Sequence, residues 1–224
     1  MWHMKKLICL ILCFFTLFLL ACDSPMEKRE RNLSELRDEV MVAAGDGMKI
    51  SLISGVREDP FVIDGAPGEK KPFTVVTITP DGFNENAAFS YSLYIGESKF
   101  EGNFSKHPFK NTWSFEISER AEGSAALTVT CDGYAENFEL KSVRTEEMID
   151  AAAALEIAEI RLKDRIKEHT VSGELNAEIY IRFLENPISS EGGYYWYVAF
   201  VPEKYEVYAV LIDPLTREIA AVRE

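Results

Sequence analysis

The feature that most limits how this chain can fold lies at its beginning. Lys5 and Lys6 precede a hydrophobic segment, Leu7 to Leu20, and Ala21-Cys22 closes it. A charged start, a short apolar centre and a small residue at the end form the three-part layout of a secretory signal peptide. The run is 14 residues long. A helix needs about 20 to span a bilayer, so the segment reads as one to be removed rather than kept as an anchor. Cleavage after Ala21 would take Cys9 and Cys13 with it, leaving Cys22 and Cys131. If Cys22 is consumed by modification, no intramolecular disulfide can form. The mature chain must then hold itself together by burying a core, which its length allows. Cys131 ends the apolar run Ala125-Ala126-Leu127-Thr128-Val129-Thr130-Cys131 and reads as a small buried hydrophobe, not a reactive thiol.

Leu19-Leu20-Ala21-Cys22 resembles the lipobox of bacterial lipoproteins. That resemblance implies a signal peptide over residues 1–21 and lipidation of Cys22, which becomes the first mature residue. Its diacylglyceryl group carries two acyl chains, and two hold a protein on a membrane where one gives only marginal binding. The implied partner is a lipid bilayer, and the implied location is extracytoplasmic and membrane-anchored, at the cell surface or the periplasmic face of the inner membrane. Asp23 resembles the inner-membrane retention signal of two-membrane bacteria.

Charge narrows the partners. The chain has 24 basic and 37 acidic residues, and loss of Lys5 and Lys6 leaves 22 against 37, a net −15. Such a surface repels phosphate backbones, so nucleic acid is not expected as a partner. The acyl anchor must also act without a polybasic patch.

Residues 22–47 read as the lipidated cysteine and a tether: charged, with Pro25. Leu33, Leu36 and Val40 hint at a short helix, and Val40-Met41-Val42 at a strand, so that piece is left open. Residues 48–143 read as β throughout, with strands expected over 48–54, 73–79, 88–95, 99–104, 113–117, 125–131 and 136–143. Turn signals separate them, among them Pro80-Asp81-Gly82 and the two-residue hairpin signal Asp132-Gly133. Short strands at this spacing predict an antiparallel β-sandwich, immunoglobulin-like in architecture only, because the Cys…Trp…Cys pattern is missing. Residues 144–224 change period. Thr145 offers a helix cap, and the apolar residues Met148, Ala152, Leu155, Leu162 and Ile166 predict one long helix ending near His169. Glu159 and Lys163 are spaced for an ion pair on its outer face. Four strands follow, over 175–183, 194–200, 205–212 and 217–222. The expected class is therefore mixed β and α+β: the sandwich, then one long helix packed on a four-stranded antiparallel sheet.

Three pieces of this tail carry a second resemblance: Trp196-Tyr197-Val198-Ala199-Phe200, then Tyr208-Ala209-Val210-Leu211-Ile212-Asp213, then Thr216-Arg217-Glu218-Ile219. They look like the strands and closing turn of a PepSY domain. Arg217 stands where that pattern has glycine, so the turn must keep φ negative there or strain an arginine. The resemblance implies a role in holding extracellular peptidases inactive, by binding and without catalytic residues.

Residue by residue, little chemistry converges. Tyr194, Tyr195, Trp196 and Tyr197 alternate across one strand, and a pair facing outward would make an aromatic ledge for a peptide, protein or glycan. His107 and His169 have no cysteine or histidine at ligand spacing, so no metal site is expected. Asp81, Asn84, Glu85 and Asn86 form an oxygen-rich loop without the EF-hand pattern and read as a solvated turn. No cofactor or catalytic motif occurs. The expectation is a non-enzymatic lipoprotein that binds peptide or protein. Two other classes stay open: an envelope hydrolase whose acidic pair is assembled only in the fold, and a structural subunit of an envelope complex.

Overall fold

The computed structural model describes residues 25–45, 47–64, 67–82, 86–189, 192–203 and 206–224. The expected signal segment, Cys22, Asn84 and Glu85 lie outside the described residues. Among those described, no helix is long and apolar enough to cross a membrane.

A short helix, α1 (Pro25–Arg29), and a 3-10 turn (Glu30–Asn32) lead into β1 (Leu33–Gly45), the strand on which everything else is hung. β1 has three partners. It runs antiparallel to β2 (Met48–Glu58) over most of its length. Its first half, Leu33 to Arg37, lies parallel to β12 (Glu178–Glu185). Its second half meets β9 (Tyr134–Ser142) at Met41 and Val42. The change of partner falls on Asp38, where the pairing with β2 steps from Arg37↔Gly55 to Glu39↔Ser54. One extra residue on one strand is a β-bulge, and it bends that strand. Gly55 makes the bend possible: a Cβ there would stand 1.9 Å from the Leu36 carbonyl oxygen. The Asp38 carboxylate accepts from Arg120 Nη2 at 2.8 Å, and its pKa is raised because burial outweighs that charge.

Beyond the bulge the sheet curls into a nearly closed barrel. One flank continues through β2, β3 (Lys70–Pro80), β7 (Trp113–Ile117) and β6 (Ser105–Lys106). The other runs through β9, β8 (Ser124–Cys131), β4 (Phe89–Ile95) and β5 (Ser98–Asn103). Phe104 joins the two ends and donates its backbone N–H to Phe89 O at 2.9 Å. Closure protects edges that would otherwise pair with other chains. Alternate residues fill the interior, for instance Met48, Ile50 and Leu52 on β2, with Trp113, Phe138 and Leu140 around them. Tyr91, Phe104 and Phe115 form one aromatic cluster, Tyr91 stacking on Phe115 with centroids 3.5 Å apart. Asp132 and Gly133 take φ of 49° and 82°, the left-handed pair that a two-residue hairpin demands.

On the other side of the bulge the same sheet continues through β12, β13 (Tyr194–Glu203), β14 (Glu206–Ile212) and β15 (Ile219–Arg223). Two short helices, α2 (Ala151–Arg161) and α3 (Lys163–Glu168), lie against it, and a small hairpin, β10 (Thr170–Val171) with β11 (Glu174–Leu175), follows them. Ala154, Leu155, Ala158 and Leu162 pack on Ile179, Ile181, Phe183, Trp196, Val198 and Val210. Val40 and Ile53, which point out of the barrel, belong to this second core.

These observations correct the expected class. The described residues are mostly β, 56% strand against 13% helix, so the helical layer is minor. A sandwich followed by a separate helix-on-sheet unit is not what forms. One 13-stranded sheet runs through both halves, with β1 and β12 paired in parallel. The piece left open between helix and strand, 33–45, is the strand that joins them. Nor is there one long helix. Ile149 N–H donates to Pro214 O, and Ile149 O accepts from Trp196 Nε1, both at 2.9 Å. Those bonds tie the chain to the sheet, so the helix starts late, with Asp150 rather than Thr145 capping it through Ala153 N. It breaks at Leu162, where φ is −100° and ψ 16° with the side chain in the core. Glu159 is also not paired with Lys163; it meets Arg29 of α1 at 2.5 Å.

Candidate functional site

The bulge that splits the sheet leaves a groove at the fork. Past Arg182, β12 parts from β1. Phe183, Leu184 and Glu185 keep β13 on one side, and their other edge has no strand partner among the described residues. Opposite them stand the outward residues of the barrel wall: Val40, Val42 and Ala44 on β1, with Ile53, Ser51 and Lys49 beside them on β2. Together these enclose about 610 Å³, inside the range of about 300–1,000 Å³ typical of small-ligand clefts. Val42 is 39% exposed, unusual for a valine at the centre of a strand. Tyr194 closes one end, its ring stacked on Phe183 at 5.5 Å, and partial burial raises its phenol pKa.

Charge sits at the mouth. Arg37 is committed to Glu35, at 2.9 Å, while Lys49 makes no ion pair among the described residues. Glu185 is the only carboxylate of the lining among the described residues. Among the described residues the groove thus offers apolar walls, an open strand edge, a lysine and a carboxylate.

No family model, curated protein or solved structure matches this chain. The groove therefore has to be read from its own geometry.

The aromatic run read from the sequence divides between two faces. Trp196 is fully buried, its indole spent on Ile149. Tyr194 lies on the same face and reaches the groove. Tyr195 and Tyr197 are half-buried on the opposite face, where Tyr197 packs beside Ala199 and Ala209. The four residues do not form one ledge.

Two carboxylates meet elsewhere, at the start of β12. Glu178 is fully buried and accepts from Ser34 Oγ, from the Tyr180 hydroxyl and from Asp64 N. Burial and this hydrogen bond hold the Tyr180 phenol far above its ordinary range. Glu58 is 2% exposed and accepts from Gly68 N at 2.8 Å, and its pKa is raised by burial, then by Glu178 and Asp64. This pair fastens the β2–β3 loop to β12. Glu58 borders a small cleft of about 100 Å³.

His169 Nε2 lies 3.5 Å from the Tyr208 hydroxyl and 3.7 Å from the Glu206 carboxylate, and His107 Nδ1 accepts from Phe109 N. Among the described residues no group of histidine, cysteine and carboxylate side chains is arranged to hold a metal. Cys131 is half-buried and free, with its thiol pKa pushed up by burial.

Sequence reasoning missed Val42, Lys49, Phe183 and Glu185 as site residues. One signal was present: a glycine inside a strand, Gly55, marks a bulge or a close backbone approach.

Proposed function

We propose that this chain is a membrane-anchored extracytoplasmic lipoprotein, lipidated at Cys22, that binds an extended peptide segment in the groove at the fork and has no catalytic role. The observation that carries the reading is the edge of Phe183–Glu185, which has no strand partner among the described residues and lies inside an apolar cleft. A peptide strand laid against that edge gains backbone hydrogen bonds, and every second side chain meets the wall of Val40, Val42 and Tyr194. Lys49 favours a peptide with a carboxylate at that end. A segment held this way is withheld from, or offered to, an extracellular peptidase, which joins the groove to the role implied by the tail motif.

The test uses residues 23–224 and fluorescent apolar pentapeptides with a free carboxyl end, read by anisotropy. Binding should weaken about tenfold in Val42→Glu, which puts a charge on the apolar wall. Amide exchange at Phe183 and Glu185, whose N–H groups face away from β13, should slow on binding, and peptidase cleavage of the bound peptide should change. Affinity unaltered by Val42→Glu, with no protection at Glu185, ends the proposal.

A further inference from the structure

The way the chain leaves its anchor points to a second contact with the membrane. We infer that the end of the molecule carrying Phe61, Val62 and Ile63 rests in the bilayer surface, inserting that apolar tip beside the acyl chains on Cys22. The inference rests on the lipoprotein reading above.

Three observations on different residues converge. The first concerns reach. The described chain is fastened to the body from its start: Met26 packs against the helix-side core, Arg29 pairs with Glu159 at 2.5 Å, and the Asn32 amide donates to Leu175 O and Ala177 O. Only Asp23 and Ser24 stand between Cys22 and Pro25. Fully extended, that link spans about 11 Å. A lipid on Cys22 therefore holds this end at the headgroups, with no spacer.

The second concerns what this end displays. β1 begins here, β2 ends here, and β12 begins alongside because it is parallel to β1. The β2–β3 loop is thus beside the anchor, and Lys70 Nζ at its base donates to Glu30 O at 2.7 Å. Phe61, Val62 and Ile63 are 42%, 46% and 39% exposed, three consecutive large apolar side chains. Val171, in the neighbouring β10–β11 hairpin that Glu174 ties to Arg31, is 68% exposed.

The third is that the tip is held in place. Asp64 N donates to Glu178 at 2.8 Å, Gly68 N donates to Glu58 at 2.8 Å, and Phe61 stands edge-on to Tyr180 with centroids 6.0 Å apart. A fixed apolar tip loses little conformational entropy on insertion. Charge also permits contact. The mature chain is strongly acidic, but at this end acids are offset by neighbours, Glu174 by Arg31 and Asp59 by Lys71. The groove lies about 30 Å further along β1, from Leu33 to Val42, so a seated molecule turns its peptide site away from the lipid.

The experiment uses the lipidated full chain in vesicles of phosphatidylethanolamine and phosphatidylglycerol, on a Cys131→Ser background. A fluorophore is placed at Val62→Cys or, as the distal control, at Phe109→Cys, which is 91% exposed beside the far end of β3. Quencher-bearing acyl chains should remove about half the emission at Val62, since interfacial segments sit about 5–10 Å into the headgroup boundary, and should leave Phe109 unchanged. Labelled palmitate incorporation is read on the same sample. Acylated protein whose Val62 label behaves like Phe109 overturns the inference and leaves the lipoprotein reading standing. A label shielded from aqueous quencher but not reached by lipid quencher means a protein covers the tip, which also overturns it. No palmitate on Cys22 removes the lipoprotein reading, and the inference with it.

Discussion

Replacing Gly55 by alanine probes the device that shapes this molecule. The new Cβ would stand 1.9 Å from Leu36 O, 2.9 Å from Leu36 C and 3.0 Å from Arg37 Cα, all backbone atoms. Ordinary contact needs about 3.5 Å, so β1 and β2 must part by more than 1 Å at the bulge. No side-chain rotation relieves the clash. Overpacking of this kind costs about 1–3 kcal/mol, and each displaced ladder hydrogen bond adds about 1 kcal/mol. A total near 3 kcal/mol corresponds to a fall in Tm of about 6–12 °C for a chain of this size. Circular dichroism melting of residues 23–224 reads it, with Gly102→Ala as the control. There the added Cβ comes no closer than 3.0 Å, to the hydroxyl end of the Tyr91 side chain, which can move. The fork should loosen too, so peptide affinity should fall along with Tm. Equal melting temperatures for Gly55→Ala and Gly102→Ala would refute the argument that close backbone approach at the bulge sets the branch.

Further outcomes follow from individual side chains. Arg217 takes φ +66°, a region costing a non-glycine residue about 1 kcal/mol, so Arg217→Gly should raise stability by about that much in urea unfolding. Glu35 is buried between Arg37 and Arg182 at the parallel junction of β1 and β12. Its removal in Glu35→Ala leaves two guanidinium groups without their carboxylate and should cost about 3–5 kcal/mol by denaturant unfolding. Glu58 has its folded pKa raised by burial, so the native state holds that proton more tightly than the unfolded chain does. Wild-type stability should fall as pH rises from about 4.5 through the raised value, and Glu58→Gln should flatten that segment of the curve. A wild-type profile that instead climbs across this window, with Glu58→Gln matching it, would contradict the sign. The raised Cys131 thiol should alkylate slowly at neutral pH, and label uptake at the rate of a free thiol would show the site to be open.

Much of the barrel half was legible in the sequence because its signals are local. Alternation on β2 and β3 and the Asp132-Gly133 hairpin need only neighbours a few residues apart to be read. The tail strands were legible for the same reason, and so was the dilemma at Arg217, which the fold resolves by accepting a left-handed arginine. The helix was over-read. Its period was real, but hydrogen bonds from Ile149 to Pro214 and Trp196, distant in sequence, set where it begins.

The sequence by itself determined the β-rich character of the chain and the residue types along each strand. Those follow from side-chain period and turn chemistry. Only the tertiary structure decided that β1 serves three partners, that one sheet therefore runs through both halves, and that a groove opens where they part. Strand pairing between residues about 145 positions apart leaves no local trace. Whether such a pairing forms depends on which backbone edges remain free once every nearer hydrogen bond has been made.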